Sequence, residues 1–138
     1  MKRISKVLIV LVLTLLFTGC GYNKGDMYIT LTSNPSTGYT WESKFSEEGI
    51  LDLVSSDYIE PDNTNGMVGV AGEETFRFKP LKEGEVTITL KYRRQWEEED
   101  ESAYRLNYVI KVDDKLHMKV VSKEGEYLTY QAPEPVFK

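Results

Sequence analysis

The chain has 138 residues, with 17 Lys and Arg against 22 Asp and Glu, one His and one Cys. That length fits one domain, and 41% hydrophobic with 12% aromatic residues is enough for a packed core, while the acidic balance argues against a phosphate-reading surface and so against nucleic acid. One Cys excludes an intramolecular disulfide and a thiolate zinc site, and a lone His makes a multi-His metal cluster or a His-based triad very hard to assemble, so most enzyme chemistries are disfavoured and no metal, cofactor or enzymatic activity is expected.

Met1, Lys2, Arg3 and Lys6 make a cationic start, followed by an eleven-residue apolar stretch from Val7 to Phe17 and then Thr18-Gly19-Cys20. Eleven residues span about 16 Å as a helix, roughly half of a ~30 Å hydrocarbon layer, so the stretch reads as a cleaved secretion signal rather than a membrane span. The small residues before Cys20 resemble a bacterial lipobox, with Phe17 where Leu is more usual. The expectation is a signal peptide over 1–19, diacylation of Cys20, a polar tether over 20–26 and a domain over 27–138, outside the cytoplasm on a membrane surface. Loss of Lys2, Arg3 and Lys6 leaves 14 basic against 22 acidic groups, a mature net charge near −8.

Beyond the tether the periodicity is that of strands. Met27, Ile29 and Leu31 alternate with Tyr28, Thr30 and Thr32, and Phe76 and Phe78 with Arg77 and Lys79. Val86, Ile88, Leu90 and Tyr92 oppose Thr87, Thr89, Lys91 and Arg93, a half-buried antiparallel pattern. Tyr104, Leu106, Tyr108, Ile110 and Val112 form another such face, and Leu116, Met118 and Val120 alternate with His117 and Lys119. His117 therefore reads as an exposed strand residue. Turn signals at Asn34-Pro35, Glu48-Gly49, Asn65-Gly66, Glu83-Gly84, Asp113-Asp114 and Glu124-Gly125 separate the strands. The fold class is all-β, a sandwich of seven to eight antiparallel strands.

Three connections carry residues beyond the needs of a turn, and loops on a rigid sandwich are where binding residues sit. In Ser33-Asn34-Pro35-Ser36-Thr37-Gly38, Pro35 fixes one dihedral and Gly38 is free to take a positive one, before Tyr39 and Trp41 re-enter a strand. From chemistry alone this is a plain loop or a binding loop. Asn65 to Glu73 holds Gly66, Gly69 and Gly72 with aliphatic residues between them, suited to backbone lying flat against another surface. A phosphate cradle lacks the following Lys-Ser/Thr and helix, and a calcium loop has Pro61 where its first Asp belongs. Tyr92-Arg93-Arg94-Gln95-Trp96 runs into Glu97-Glu98-Glu99-Asp100-Glu101, which either projects Trp96 as an interface residue or folds it back on the sandwich rim.

In this order the three segments resemble the chagasin family of cysteine-protease inhibitors, whose loops Asn-Pro-Thr-Thr-Gly, Gly-x-Gly-Gly and Arg-Pro-Trp lie at one end of an immunoglobulin-like sandwich. Asn34, Pro35, Ser36, Thr37 and Gly38 match the first loop with Ser for Thr. Gly69, Val70, Ala71 and Gly72 match the second with Ala for Gly, and Arg94, Gln95 and Trp96 the third with Gln for Pro. The resemblance runs from about Gly25 to about Val112. It implies a reversible, competitive inhibitor of papain-like cysteine proteases: Thr37 beside the enzyme's catalytic Cys, Asn34 and Pro35 shaping its loop, residues 69–72 along one side of the cleft and Trp96 against an aromatic surface on the other. A monomer is the default expectation.

The departures carry expectations. A methyl at Ala71 loosens the second loop if that backbone needs a positive φ, and Gln95 removes the stiffness of Pro beside Trp96. The family's strand before its first loop strand has no room after Cys20, so Glu126 to Gln131 is expected to supply the missing edge strand. An alternative reading keeps the fold and the loops as a surface-anchored immunoglobulin-like module that binds another protein.

Overall fold

The computed structural model describes residues 21–62, 69–98, 101–128 and 130–138. Residues 1–19, expected as a signal peptide, Cys20, residues 63–68 of the second loop, Glu99 and Asp100 of the acidic run, and Thr129 lie outside the described residues.

Four strands form one antiparallel sheet: β1 (Met27–Ser33), β4 (Gly72–Pro80), β3 (Leu51–Ile59) and the short β10 (Val136–Phe137), in the order β10-β1-β4-β3. The second sheet is β2 (Tyr39–Phe45), β5 (Gly84–Arg94), β6 (Tyr104–Val112) and β7 (Met118–Glu124), in that order. A separate hairpin joins β8 (Glu126–Tyr127) to β9 (Tyr130–Gln131). The architecture is an immunoglobulin-like sandwich of eight strands in two sheets.

The alternation explains the layering. Met27, Ile29 and Leu31 from β1 and Phe76 and Phe78 from β4 face Val86, Ile88 and Leu90 from β5 and Leu106, Tyr108 and Ile110 from β6, all essentially without exposure. Each such side chain contributes about 1.5–3 kcal/mol by leaving water. Among the described residues every buried core residue lies between Met27 and Ala132, so residues 21–138 hold that core and both sheets. Tyr108 is buried to its hydroxyl, which donates to the Pro133 carbonyl at 2.8 Å and ties the C-terminal segment to the core. Burial pushes its phenol pKa well above the usual range, with Tyr127 and Glu134 adding to the shift.

One strand carries no sequence signal, and two sequence expectations are corrected. The strand β3 carries no alternation because it is a sheet edge: Leu51 alone is buried, and a bulge between Leu53 and Ser55 shifts its register. Leu116 and His117 belong to a turn. The Asp113 carboxylate accepts from the backbone N–H groups of Lys115 and His117 at 3.0 and 2.8 Å, and Leu116 takes φ +60°, so β7 begins only at Met118. The missing edge strand is not residues 126–131, which pair with each other, but Val136–Phe137, antiparallel to Tyr28 and Met27. Pro133 and Pro135, which cannot donate to a ladder, delay pairing until they are passed.

Strand direction separates two ends. β1 rises from Met27 at the base to Ser33 opposite Gly72, and from that upper end emerge the connections 34–38, 60–71 and 95–103. At the base, Asn23 pairs with Met118 through backbone bonds of 2.7 and 2.9 Å, and Asp26 with Lys138 through bonds of 2.9 and 3.0 Å. The Asp26 carboxylate also meets Arg77 at 2.7 Å and holds its pKa up.

Candidate functional site

The first loop is a short 3-10 turn over Pro35–Thr37, closed by Gly38 at φ +84°. Polar residues hold it from within. The Thr37 hydroxyl donates to the Asn34 carbonyl at 2.6 Å, the Ser36 hydroxyl to the Asn34 side-chain oxygen at 2.6 Å, and the Gly38 N–H to the Pro35 carbonyl at 2.9 Å. From below, the Tyr92 hydroxyl on β5 accepts the Asn34 backbone N–H at 2.9 Å. Tyr92 is itself wedged between rings, 5.3 Å from Tyr39, 4.9 Å from Trp41 and 5.9 Å from Tyr104. Trp41 donates its indole N–H to the Thr32 carbonyl at 3.0 Å, linking the two sheets just beneath the loop. The aromatic layer thus sets the loop's height and direction.

The three loops are joined to one another. The Asn34 side-chain amide donates to the Gly69 carbonyl at 2.7 Å, joining the first to the second. The Arg94 guanidinium lies 4.4 Å from the Tyr39 ring centre and 5.9 Å from that of Trp96, and donates to the Thr37 carbonyl at 3.2 Å, joining the first to the third. Glu97 meets Arg94 at 3.3 Å, and the Glu97 carbonyl accepts from Arg93 at 2.8 Å. Trp96 rests one ring edge on Gly38, where an added Cβ would stand 2.3 Å from the ring, yet 73% of it stays exposed. The Trp is presented outward rather than folded back.

The second loop uses its glycines differently. Gly69 takes φ +81°, whereas a Cβ on Gly72 would stand 2.2 Å from the Ile59 carbonyl oxygen, so Gly72 permits close approach of β3 to β4. Ala71 is exposed and its φ is not positive, so Ala is accommodated there without strain. Between the first and second loops lies an open cleft of about 310 Å³ bounded by Asn34, Pro35, Tyr58, Glu60, Gly69 and Val70. Tyr58 and Glu60 carried no signal in the sequence, since they sit at the end of an edge strand without alternation.

All twelve residues of the three candidate loops therefore lie at one end, with two in tasks that spacing could not reveal: Asn34 and Arg94 turn their polar groups onto neighbouring loops. No group of three or more His, Cys, Asp or Glu among the described residues is placed to hold a metal ion. No helix among them is long and apolar enough to cross a membrane.

The family model described as chagasin family peptidase inhibitor I42 matches residues 23–112. The chain belongs to the chagasin family. As a chagasin-family chain it shares 37% identity over 83 residues with amoebiasin-2 of Entamoeba histolytica and 35% over 68 residues with amoebiasin-1. Those alignments cover 59% and 49% of this chain, and 66% and 64% of the two relatives, just under two thirds of their lengths. The crystal structure of the cysteine protease inhibitor EhICP2 from Entamoeba histolytica is 33% identical, with a TM-score of 0.57, covering 64% of this chain and 80% of that one. The family match spans β1 to β6 and all three loops, and stops at the last residue of β6. Strands β7 to β10 of this chagasin-family chain lie beyond the matched region. The family is one of inhibitors, not enzymes.

Proposed function

We propose that this chain is a reversible, competitive inhibitor of papain-like cysteine proteases that inserts its three upper loops into the active-site cleft. The observation that carries the reading is the bonding of the loops into one surface by Asn34 and Arg94. A wedge ordered before binding avoids much of the entropic cost of association, and a standard interface of ~1,600 Å² lies within reach of three loops. Thr37 leads into the cleft beside the catalytic Cys, its hydroxyl already satisfied by Asn34. Gly69 to Gly72 lies along one wall, and Trp96 meets the other. Nothing in the inhibition is covalent.

The same reading places the domain outside the cytoplasm as a monomer, held to a membrane by a diacylglyceryl group on Cys20 after removal of residues 1–19. Its support is the charged start, apolar stretch and small residues before Cys20.

The deciding experiment titrates residues 21–138 against papain and a cathepsin-L-type enzyme, with Thr37→Arg and Trp96→Ala alongside. Competitive inhibition weakened by both changes is the expected result. No inhibition at micromolar concentration transfers the chain to the binding-module reading. Radiolabelled palmitate incorporated by the full chain and lost in Cys20→Ser tests the anchor.

A further inference from the structure

The segment beyond the family match returns to the binding end. β7 runs upward from Met118 and pairs with β6 as far as Glu124, opposite Asn107. The hairpin β8-β9 continues in the same direction. Its Tyr127 ring lies 6.2 Å from Tyr104, the first residue after the third loop, and 5.8 Å from Trp41 beneath the first loop. The residue following Tyr127 therefore lies toward the upper end of the sandwich, the end from which the three loops emerge.

That residue is Leu128. It holds φ +56°, a left-handed conformation that costs a branched side chain strain, and it leaves 51% of its surface exposed. Two unfavourable features coincide on one residue in a hairpin that is otherwise well held. Tyr127 is buried, the Ala132 N–H donates to the Gly125 carbonyl at 3.1 Å, Lys123 donates to the Ala132 carbonyl at 2.7 Å, and the Tyr108 hydroxyl holds Pro133. An exposed apolar side chain on a hydrogen-bonded stem is suited to contact with a partner, because less ordering remains to be done on binding.

We propose that Leu128 is a fourth protease-contacting element, which reaches an apolar patch on the enzyme surface outside the cleft, on the side addressed by Trp96. The proposal rests on the three-loop inhibitor reading, which places the partner at this end. It gives the C-terminal strands beyond the family match a second role besides supplying the edge strand: they widen the footprint and bias the choice among papain-like enzymes that share a cleft but differ in the surface around it.

The test uses residues 21–138, which contain the whole core, against whichever of papain and cathepsin L is inhibited more tightly. Leu128→Asn keeps a residue that tolerates the left-handed conformation and removes the apolar group. A rise in inhibition constant of about fivefold or more, carried mainly by faster dissociation, with an unchanged or higher melting temperature, is expected. An inhibition constant within twofold of the parent, while Trp96→Ala weakens inhibition strongly, overturns the fourth contact and leaves the three-loop reading standing. Inhibition of neither enzyme, or no effect of either substitution, overturns both.

Discussion

The side-chain amide of Asn34 reaches across 35 positions of sequence to the carbonyl oxygen of Gly69, at 2.7 Å. This bond makes the first and second loops one body. Asn34→Ala removes it while keeping the backbone N–H that Tyr92 accepts, so the fold should stand and the wedge should loosen. A net hydrogen bond contributes about 0.5–1.5 kcal/mol, equivalent to a two- to tenfold weaker inhibition constant. Inhibition assays beside thermal melts check this; a large fall in melting temperature would show instead that Asn34 supports the whole fold.

Gly38 is predicted to tolerate no side chain. Its φ of +84° and the Trp96 ring, 2.3 Å from where a Cβ would lie, act together. Gly38→Ala costs about 1–2 kcal/mol in backbone strain and must also displace Trp96, so inhibition should fall by more than tenfold. The measurement pairs the inhibition constant with the change in Trp emission; parental values in both would mean that Trp96 does not need its seat on Gly38.

How much of this was legible in the sequence depends on which contacts are local. β1, β5 and β6 alternate strictly because each has one face in the core and one in water. The loops were legible through Pro35, Gly38 and Gly69, whose backbone demands are local, and through Gly72 and Trp96 as members of the ordered motifs. The joining of those loops was not, since whether Arg94 turns onto Thr37 or outward depends on the stacking of Tyr39 and Trp96, a contact made only after folding. The edge strand was misplaced for a related reason: Tyr127 and Tyr130 carry strong strand preference, whereas two residues after Pro135 carry almost no local signal.

Tyr108 should make stability depend on alkaline pH. Its folded pKa is raised above the unfolded value of ~10, so the neutral phenol is favoured in the fold. The resulting stability is fully present below pH ~10 and is lost as pH rises above it. Tyr108→Phe loses the bond to Pro133 and about 1 kcal/mol at neutral pH. Melts at pH 9 and pH 11 should therefore converge between parent and variant; a constant gap would assign the alkaline loss to other tyrosines.

Removing residues 134–138 should cost about 2 kcal/mol or more. It deletes Phe137, which packs against the core, and the paired backbone bonds between Asp26 and Lys138. It also uncovers the edge of β1, an open row of backbone donors and acceptors. A lowered urea midpoint together with concentration-dependent self-association is the expected pair of results. An unchanged midpoint would mean that β10 closes the sheet without stabilising it.

The pairing of Asn23 with Met118 fixes where the chain enters the domain, at the base, with the seven residues of β1 rising from there to the first loop. At ~3.3 Å per residue that strand alone spans about 23 Å. The proposed anchor at Cys20 and the three loops therefore lie at opposite ends of the domain. In that proposed arrangement an incoming enzyme meets the open face without having to pass between the domain and its support, and a pull from the N-terminal side is taken first by the Asn23 and Asp26 bonds at the base, away from the loops.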